Sequence, residues 1–350
     1  MNNKVIKKAI NLCIQKNIPF VAYILPNNNT PIFFSNPSST EHSINFYVNF
    51  FGDKASLPIK ISNELNADDT IRQFANSQQL QEPKSTPWSQ STCYEAYKNQ
   101  IEKIICHLKA NYGKVVLSKV VCGNVNDIDW ADVAFKYFKL HSSTFRYIYF
   151  THQTGCWIGA SPEILINHDK TTNYFNTMSL AGTRKTSLNN QPWDKKNIVE
   201  HNFVTNYIVD VLKSLSLNVN VHDYESLSYG KIEHLCNRIT SSTKNNISFF
   251  EILNKLSPTP ALAGYPIEDS LNIITNTEEH PRYCYRGYVA LDDSEKFMAY
   301  VNFRGGHFNT NKYCLYSGGG IVSNSTAELE WEETNTKISS LKQIIDNYNN

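Results

Sequence analysis

The chain has 350 residues, a length that permits two domains or one large domain at ~100–200 residues per domain. Hydrophobic residues make up 41% of the chain, which is enough for a large core. Its 33 lysines and arginines almost balance its 32 aspartates and glutamates without any basic stripe or acidic tail, so nucleic acid and membrane surfaces are poor candidate partners. The longest apolar run, at residues 18–25, is too short to span a bilayer, and the N-terminus lacks a signal-peptide pattern, which predicts a cytoplasmic protein.

The eight cysteines are scattered along the chain, and none forms a CxxC pair. This spacing argues against a zinc site. An even count in a chain of this length, with no secretion signal, predicts reduced thiols.

In chain order, residues 1–90 alternate short apolar runs with polar turns, and residues 76–91 resemble a connector. Apolar spacing then predicts helices over 94–110 and 197–215. Strands are predicted at 114–121, 145–150, 157–160, 163–167 and 174–179, followed by a meander over 286–291, 297–303 and 313–317. A glycine run at 318–320 leads into a last helix, with Ser325 as N-cap and Glu328 completing a capping box.

Three charged residues stand out on that last helix. Glu330 and Glu333 are three apart, and Lys337 follows one turn later, so all three project from one side. Two carboxylates and a lysine above an apolar face suit a hard cation beside an anionic ligand, and Mg²⁺ prefers oxygen ligands. The alternative is an ordinary solvated face of the helix.

Two further features point to charge binding. Glu200 lies on the apolar side of its helix, where a carboxylate is costly to bury unless it is paired or bound to metal. The alternative is a helix-start glutamate favoured by the macrodipole. The bare N–H groups of 318–320 could hold an anion, although a plain tight turn is the more common explanation of such glycines.

Together these stretches resemble the chorismate-binding enzymes, which include isochorismate, salicylate, anthranilate and aminodeoxychorismate synthases. The matching segments occur in the family's order: KVVLSK (114–119), ASPE (160–163), LAGTR (180–184), IVEH (198–201), EHL (233–235), PTPALAGYP (258–266), Arg304 and SGGGIVSNSTAELEWEETNTK (317–337). The resemblance implies an α+β fold with two large antiparallel sheets packed together and helices outside. It also implies one domain over 1–350, with a variable part at 1–90 and a chorismate-binding catalytic region at 91–345.

The resemblance assigns roles to particular residues. Lys114 would be the base and Glu163 the acid, while Glu200, Glu330 and Glu333 would hold Mg²⁺. The substrate-binding positions would be Ala181, Gly182, Thr183, His234, Tyr285, Arg304, Gly318, Gly319 and Lys337. Taken singly, Lys114 could merely end a strand, Arg304 could form a structural salt bridge, and His234 could be a satisfied core histidine.

Two positions sort the family by nucleophile. Amine-transferring members tend to carry glutamine in place of Lys114 and lysine in place of Ala181, so this chain resembles the members that use water. A base for the water and an acid for the departing hydroxyl are what that reaction requires. The resemblance therefore predicts an isochorismate synthase serving menaquinone or siderophore synthesis, with chorismate as its small-molecule partner. The alternatives are a salicylate synthase and a non-catalytic chorismate-binding protein, and the oligomeric state stays open, with a monomer compatible.

The chain also departs from the family pattern. Ser257 stands where many members have histidine, Lys119 replaces a frequent arginine, and Asn197 occupies an often acidic position. Glycines 305 and 306 follow Arg304 in place of a small polar residue. Between 278 and 287 only Glu278, Arg282, Tyr285 and Gly287 match.

Overall fold

Two eight-stranded antiparallel sheets dominate the computed structural model, which describes residues 3–37, 44–53, 58–78, 88–188, 191–229, 232–242 and 247–349. The strands are β1 Phe20–Ile24, β2 Ile32–Ser35, β3 Asn45–Val48, β4 Ile59–Ser62, β5 Lys114–Asn124, β6 Phe145–Thr151, β7 Gly155–Ser161, β8 Ile164–Asp169, β9 Tyr174–Lys185, β10 Val219–Tyr229, β11 Ile232–Ser242, β12 Gly264–Tyr265, β13 Tyr288–Asp292, β14 Lys296–Val301, β15 Arg304–Phe308 and β16 Lys312–Ile321. The first sheet runs β12, β5, β16, β15, β7, β6, β1, β2, and the second runs β10, β11, β9, β8, β14, β13, β3, β4.

Helices cover the outer faces of the sheets. They are α1 Asn3–Lys16, α2 Ala67–Phe74, α3 Tyr94–Ala110, α4 Trp130–Leu140, α5 Lys195–Ser214, α6 Phe249–Leu256, α7 Ile267–Thr277 and α8 Ala327–Asn349. The helices α1, α4 and α8 share an apolar cluster with the first sheet, whereas α5 and α6 share one with the second. Among the described residues no helix combines the length and the apolar character needed to cross a bilayer.

The strand β6 shows how its sequence places it between two apolar layers. Every residue of FRYIYFT is buried. Because neighbouring side chains of a strand point to opposite faces, Tyr147 and Tyr149 face the second sheet while Ile148 and Phe150 face the helices. The continuous apolar run is therefore a strand that is buried on both sides.

The N-terminal part belongs to both sheets. β1 pairs with β6 near one edge of the first sheet, where β2 is the edge strand. β3 pairs with β13 near one edge of the second sheet, where β4 is the edge strand. Phe46 on β3 contacts Tyr147 and Tyr149 of the opposite sheet, with ring centroids 6.4 and 5.5 Å apart. These first strands thus help to build the layer between the sheets.

The predicted α+β fold is confirmed, and so are the helices and the strands predicted between residues 94 and 215. The predicted meander is wrong, because β13 and β14 belong to the second sheet while β15 and β16 belong to the first. Part of the predicted connector at 76–91 lies outside the described residues.

The predicted N-cap of the last helix is also wrong. The helix begins at Ala327, and the Leu329 N–H donates to the hydroxyl of Thr326 at 3.5 Å. The Ser325 hydroxyl instead donates to Glu330 at 2.8 Å, and Glu328 accepts from Tyr94 at 2.8 Å. The side chains of the expected capping box therefore serve other contacts.

The prediction of reduced thiols is wrong for two cysteines. Cys122 on β5 and Cys314 on β16 are direct partners in the strand register, with Cα atoms 4.1 Å apart, and they form a disulfide. The other six cysteines are free. Sequence spacing could not reveal this pair, because its members are 192 positions apart.

Candidate active site

A partly open cavity, whose empty space of about 440 Å³ includes open solvent, lies where the two sheets meet α5 and α8. Nine of the predicted site residues line it: Lys114, Ala181, Gly182, Thr183, Glu200, His234, Gly318, Glu333 and Lys337. The family motifs, although distant in sequence, therefore converge on one concave surface.

The cavity contains two lysine–glutamate pairs. Lys114, the first residue of β5, is 3% exposed, and its Nζ lies 2.5 Å from Oε1 of Glu200 on α5. Lys337 on α8 donates to Glu333 at 2.6 Å and to the Gly318 carbonyl at 3.0 Å. Burial favours the neutral form of Glu333, but the charge and hydrogen bond of Lys337 prevail and lower its pKa.

The glycines of the SGGG segment are part of β16 and not of a turn, which corrects the prediction. Gly318 pairs with Ser118 and Gly320 with Val116. A Cβ atom on Gly320 would lie 2.5 Å from Cε of Lys114, and one on Gly319 would lie 2.5 Å from Oε2 of Glu330. The absent side chains therefore let functional groups approach the strand closely from both faces.

Glu163 does not line this cavity, but it lies close enough to the lining residues Lys114 and Arg286 for their charges to act on its pKa. It is 1% exposed, and neither carboxylate oxygen has a hydrogen-bond partner among the described residues. Burial raises its pKa to about 8, although the positive charges of Arg286 and Lys114 oppose the shift. At neutral pH the side chain therefore holds a proton, as a general acid must.

His234 connects the cavity wall to Arg304. Its Nδ1 lies 3.0 Å from the Gly182 carbonyl, which can only accept, so Nδ1 carries the proton. Nε2 then accepts from Nη2 of Arg304 at 3.4 Å. Burial, with the charges of Arg304 and Lys337, lowers the pKa of His234 to about 3, so the ring is neutral.

A β-bulge shapes the same wall. His234 is opposite Thr183 and Leu235 is opposite Ala181, which leaves Gly182 unpaired with φ +74°. Only glycine adopts this backbone conformation without steric cost. The bulge aims the Gly182 carbonyl and the Thr183 hydroxyl at the His234 ring.

The remaining predicted residues do not line the cavity. Tyr285 is buried, stacks on Tyr316 with ring centroids 5.2 Å apart, and accepts a hydrogen bond from Arg286 at 3.1 Å. Arg304 is 8% exposed and touches the cavity through His234. Gly319 faces the other side of β16, where Glu330 is held by Ser325.

The three predicted metal ligands are not brought into one cluster. Within the described ranges, no three side chains of His, Cys, Asp or Glu are grouped closely enough to hold a metal ion. Glu200 and Glu333 nevertheless face the same cavity, and Mg²⁺ usually takes one or two carboxylates and completes its shell with waters and substrate oxygens. The donor set that is present therefore fits this ion, with Glu330 behind it.

Sequence reasoning missed several lining residues, notably Arg286, Phe303, Ala261 and Gly320. Gly320 lies inside the glycine run and Ala261 inside the PTPA motif, so the motifs could have indicated both. Arg286 lies in the segment 278–287, where the chain departs from the family pattern, and the sequence gives no signal for it.

Comparison with known proteins agrees with this geometry. A family model described as chorismate binding enzyme matches residues 36–346. Isochorismate synthase MenF of Bacillus subtilis is 32% identical over 206 residues, 55% of this chain and 43% of that protein. Isochorismate synthase EntC of Escherichia coli K12 is 28% identical over 202 residues, 55% of this chain and 51% of that protein. The matches thus span about half the length of these curated relatives.

Solved structures share the fold over a greater length. The menaquinone-specific isochorismate synthase MenF of Escherichia coli superposes with a TM-score of 0.76 at 20% identity, covering 95% of this chain and 90% of that one. A 2,3-dihydroxybenzoate-specific isochorismate synthase of Bacillus anthracis, described as putative, gives 0.76 at 19% identity, with 97% and 99% covered. At these identities the likeness establishes the fold.

Proposed function

Because the chain belongs to the chorismate binding enzyme family, we propose that it is an isochorismate synthase, an isomerase that interconverts chorismate and isochorismate with water as nucleophile. The observation that carries this proposal is that a buried lysine, Lys114, lines the cavity, while a buried carboxyl group near it, Glu163, has no hydrogen-bond partner among the described residues. The names of the relatives support the same reaction.

The two residues divide the proton transfers. Lys114 takes a proton from the water that attacks C2 of the ring, and Glu163 gives its proton to the hydroxyl that leaves C4. The ring double bonds shift, so no redox partner is needed. Mg²⁺, held by Glu200 and Glu333, would supply positive charge that orients a substrate carboxylate.

The cavity wall favours water over ammonia. Ala181, 6% exposed, adds only a methyl group to the cavity that Lys114 and Glu200 also line. The lysine that amine transfer is expected to use is absent from this position. The reaction run in ammonium salt should therefore yield no aminated product.

A product assay tests the proposal. The protein is incubated with chorismate and Mg²⁺, and the products are separated and identified by mass spectrometry. Isochorismate alone supports the proposal, whereas salicylate with pyruvate indicates the salicylate synthase alternative. No conversion at all would leave a non-catalytic chorismate-binding protein.

Two further arms of the assay test the cofactor and the nucleophile. Exhaustive chelation should abolish conversion, and added Mg²⁺ should restore it. An amino-chorismate peak in ammonium salt would overturn the assignment of water. We propose menaquinone or siderophore synthesis as the destination of the product. Neither is preferred, because one structural neighbour is named as menaquinone-specific and another as 2,3-dihydroxybenzoate-specific.

A further inference from the structure

Arg286 is a buried cation of the cavity to which no motif assigns a role. It lies between α7 and β13, is 2% exposed, and lines the cavity beside Phe303 and Gly318. Its guanidinium carbon is 5.6 Å from the ring centroid of Phe303, and that of Arg304 is 5.7 Å from the same ring. Both arginines therefore lie near the Phe303 ring, although only Arg286 lines the cavity.

Its hydrogen bonds leave one nitrogen available. Nε donates to the Tyr285 hydroxyl at 3.1 Å, and Nη1 donates to the carbonyls of Ala261 and Leu262 at 2.8 and 3.2 Å. In the described part of the chain, Nη2 has no acceptor. It lies 2.9 Å from the point where a Cβ atom of Gly318 would be, so the missing side chain leaves room at this nitrogen.

The charge of Arg286 is also uncompensated. The other two lysine or arginine side chains that line the cavity are paired, Lys114 with Glu200 and Lys337 with Glu333. Arg286 has no carboxylate within ion-pair distance in the described ranges. Glu163 does not balance it, because burial raises the pKa of that carboxyl to about 8 and keeps it protonated at neutral pH. A buried charge without a partner is costly, and an anionic ligand would remove that cost.

The backbone at Arg286 is strained as well. Its φ is +65°, in the left-handed region that L-residues other than glycine adopt only at a steric cost. Strain of this kind persists where the surrounding structure enforces it, and often at sites of function. An arginine at such a position indicates that its side chain does something glycine could not.

We propose that Arg286 is a substrate-anchoring residue whose Nη2 donates hydrogen bonds to a carboxylate of chorismate seated against Gly318. The proposal rests on the proposed function for the identity of the ligand. Lys337, which already donates to the Gly318 carbonyl at 3.0 Å, brings a second positive charge to the same place. Because Nε and Nη1 are already held by the Tyr285 hydroxyl and two carbonyls, Nη2 is presented to the ligand in a fixed position.

The test is direct calorimetric titration with chorismate in the presence of Mg²⁺. All proteins carry Glu163→Gln, which keeps the buried group neutral and prevents conversion of the ligand. Arg286→Gln should raise the Kd about 10–100-fold, the usual loss for a hydrogen bond to a charged group. Arg286→Lys should recover part of the affinity. Arg238→Gln, which removes a surface arginine with a 62% exposed side chain, is the matched control and should bind like its parent.

A purely structural role would give a different result. If Arg286 only ties down the loop of Ala261 and Leu262, Arg286→Gln lowers the melting temperature but leaves the Kd unchanged, and the proposal is overturned. Arg286→Gly relieves the strained backbone and removes the guanidinium, so weak chorismate binding by a well-folded Arg286→Gly protein supports the anchor. In the active enzyme, Arg286→Gln should raise KM with little change in kcat.

The two proposals fail separately. If chorismate binding depends on Arg286 but the parent protein forms no isochorismate, the proposed function is wrong and the role of Arg286 in binding stands. If the parent protein forms isochorismate but Arg286→Gln leaves the Kd for chorismate unchanged, only the proposed binding role of Arg286 is wrong.

Discussion

Glu163 is distinguished from the other buried glutamates by what it lacks. Among the glutamates with buried side chains in the described ranges, Glu233 pairs with Arg184, Glu278 pairs with Arg282 and Glu330 accepts from Ser325. Glu163 has no hydrogen-bond partner among those residues. A carboxylate in such a place is expensive, but a carboxyl group that keeps its proton is much less so. The same residue is therefore a cost to stability at high pH and a proton donor for the reaction.

The first prediction follows from this cost. Burial raises the pKa of Glu163 to about 8 in the folded protein, so the folded state binds the proton more tightly than the unfolded state does. Its contribution to stability is fully present below about pH 4.5 and is lost as the pH rises to about 8, at up to roughly 1.4 kcal/mol per pH unit. The free energy of unfolding of Glu163→Gln should therefore depend less steeply on pH over this window.

Denaturant unfolding at several pH values checks the prediction. Glu102→Gln, which changes an exposed glutamate in the middle of α3, is the control and should keep the slope of the parent. Parallel curves for the parent and Glu163→Gln would mean that Glu163 is ionised in the folded protein, and its role as acid would then fail.

At the scale of elements, the first residues of α5, which include Glu200, are exposed or only partly buried. The helix is capped by Asp194, whose carboxylate accepts from the Asn197 N–H at 2.9 Å. The Asn197 side chain in turn accepts from the Thr183 N–H at 3.0 Å. Cap and strand together position the first turn and hence Glu200 in the next.

We expect Asp194→Ala to disturb the site through this cap. Loss of an N-cap typically costs ~1 kcal/mol, and the fraying would fall on the turn that leads to Glu200. The Mg²⁺ concentration needed for half-maximal rate should rise. Ser248→Ala removes the corresponding cap of α6, which carries no site residue, and should cost similar stability with no change in the Mg²⁺ requirement. Equal Mg²⁺ requirements in the two variants would mean that the Asp194 cap does not position Glu200 for metal binding.

Strand β16 offers a second test at this scale. In Gly320→Ala the new methyl group would lie 2.5 Å from Cε of Lys114, so the base must shift. Gly123→Ala on β5 creates a similar overlap, 2.6 Å from the Tyr313 hydroxyl, away from the cavity. We expect comparable losses of melting temperature but at least about a tenfold loss of kcat only in Gly320→Ala, since misplacement by ~1 Å can cost far more. If both variants keep the parent kcat, the close approach of Lys114 to the strand has no catalytic importance.

At the scale of the whole molecule, the two sheets share one aromatic layer to which the N-terminal part contributes. Phe46→Ala should lower the free energy of unfolding by about 3–5 kcal/mol, because it removes a fully buried ring from between the sheets. Ile32→Ala, at a 41% exposed position of β2, should cost much less. Denaturant unfolding compares the two. A small loss for Phe46→Ala would mean that the first strands are peripheral to the core.

The sequence predicted the residues that line the cavity better where they belong to motifs than where their position depends on the packing of distant segments. Lys114, Glu200 and Glu333 converge as expected, because each belongs to a motif that specifies both its residue type and its place. The sheet to which β15 and β16 belong depends on pairings over long distances, which local periodicity does not encode. Arg286 escaped notice for a similar reason, since burial and a free nitrogen are properties of the assembled cavity.

The pairing of distant strands also governs how the polypeptide reaches this fold. At the disulfide, β5 and β16 join residues 192 positions apart, and β3 pairs with β13 across an even longer stretch. Such high contact order slows folding, because the entropy of closing long loops must be lost before any of these contacts forms. On the ribosome, β3 and β5 emerge long before their partners, with apolar faces uncovered and edges open. The early strands are thus the segments most exposed to aggregation and the natural targets for chaperones during synthesis.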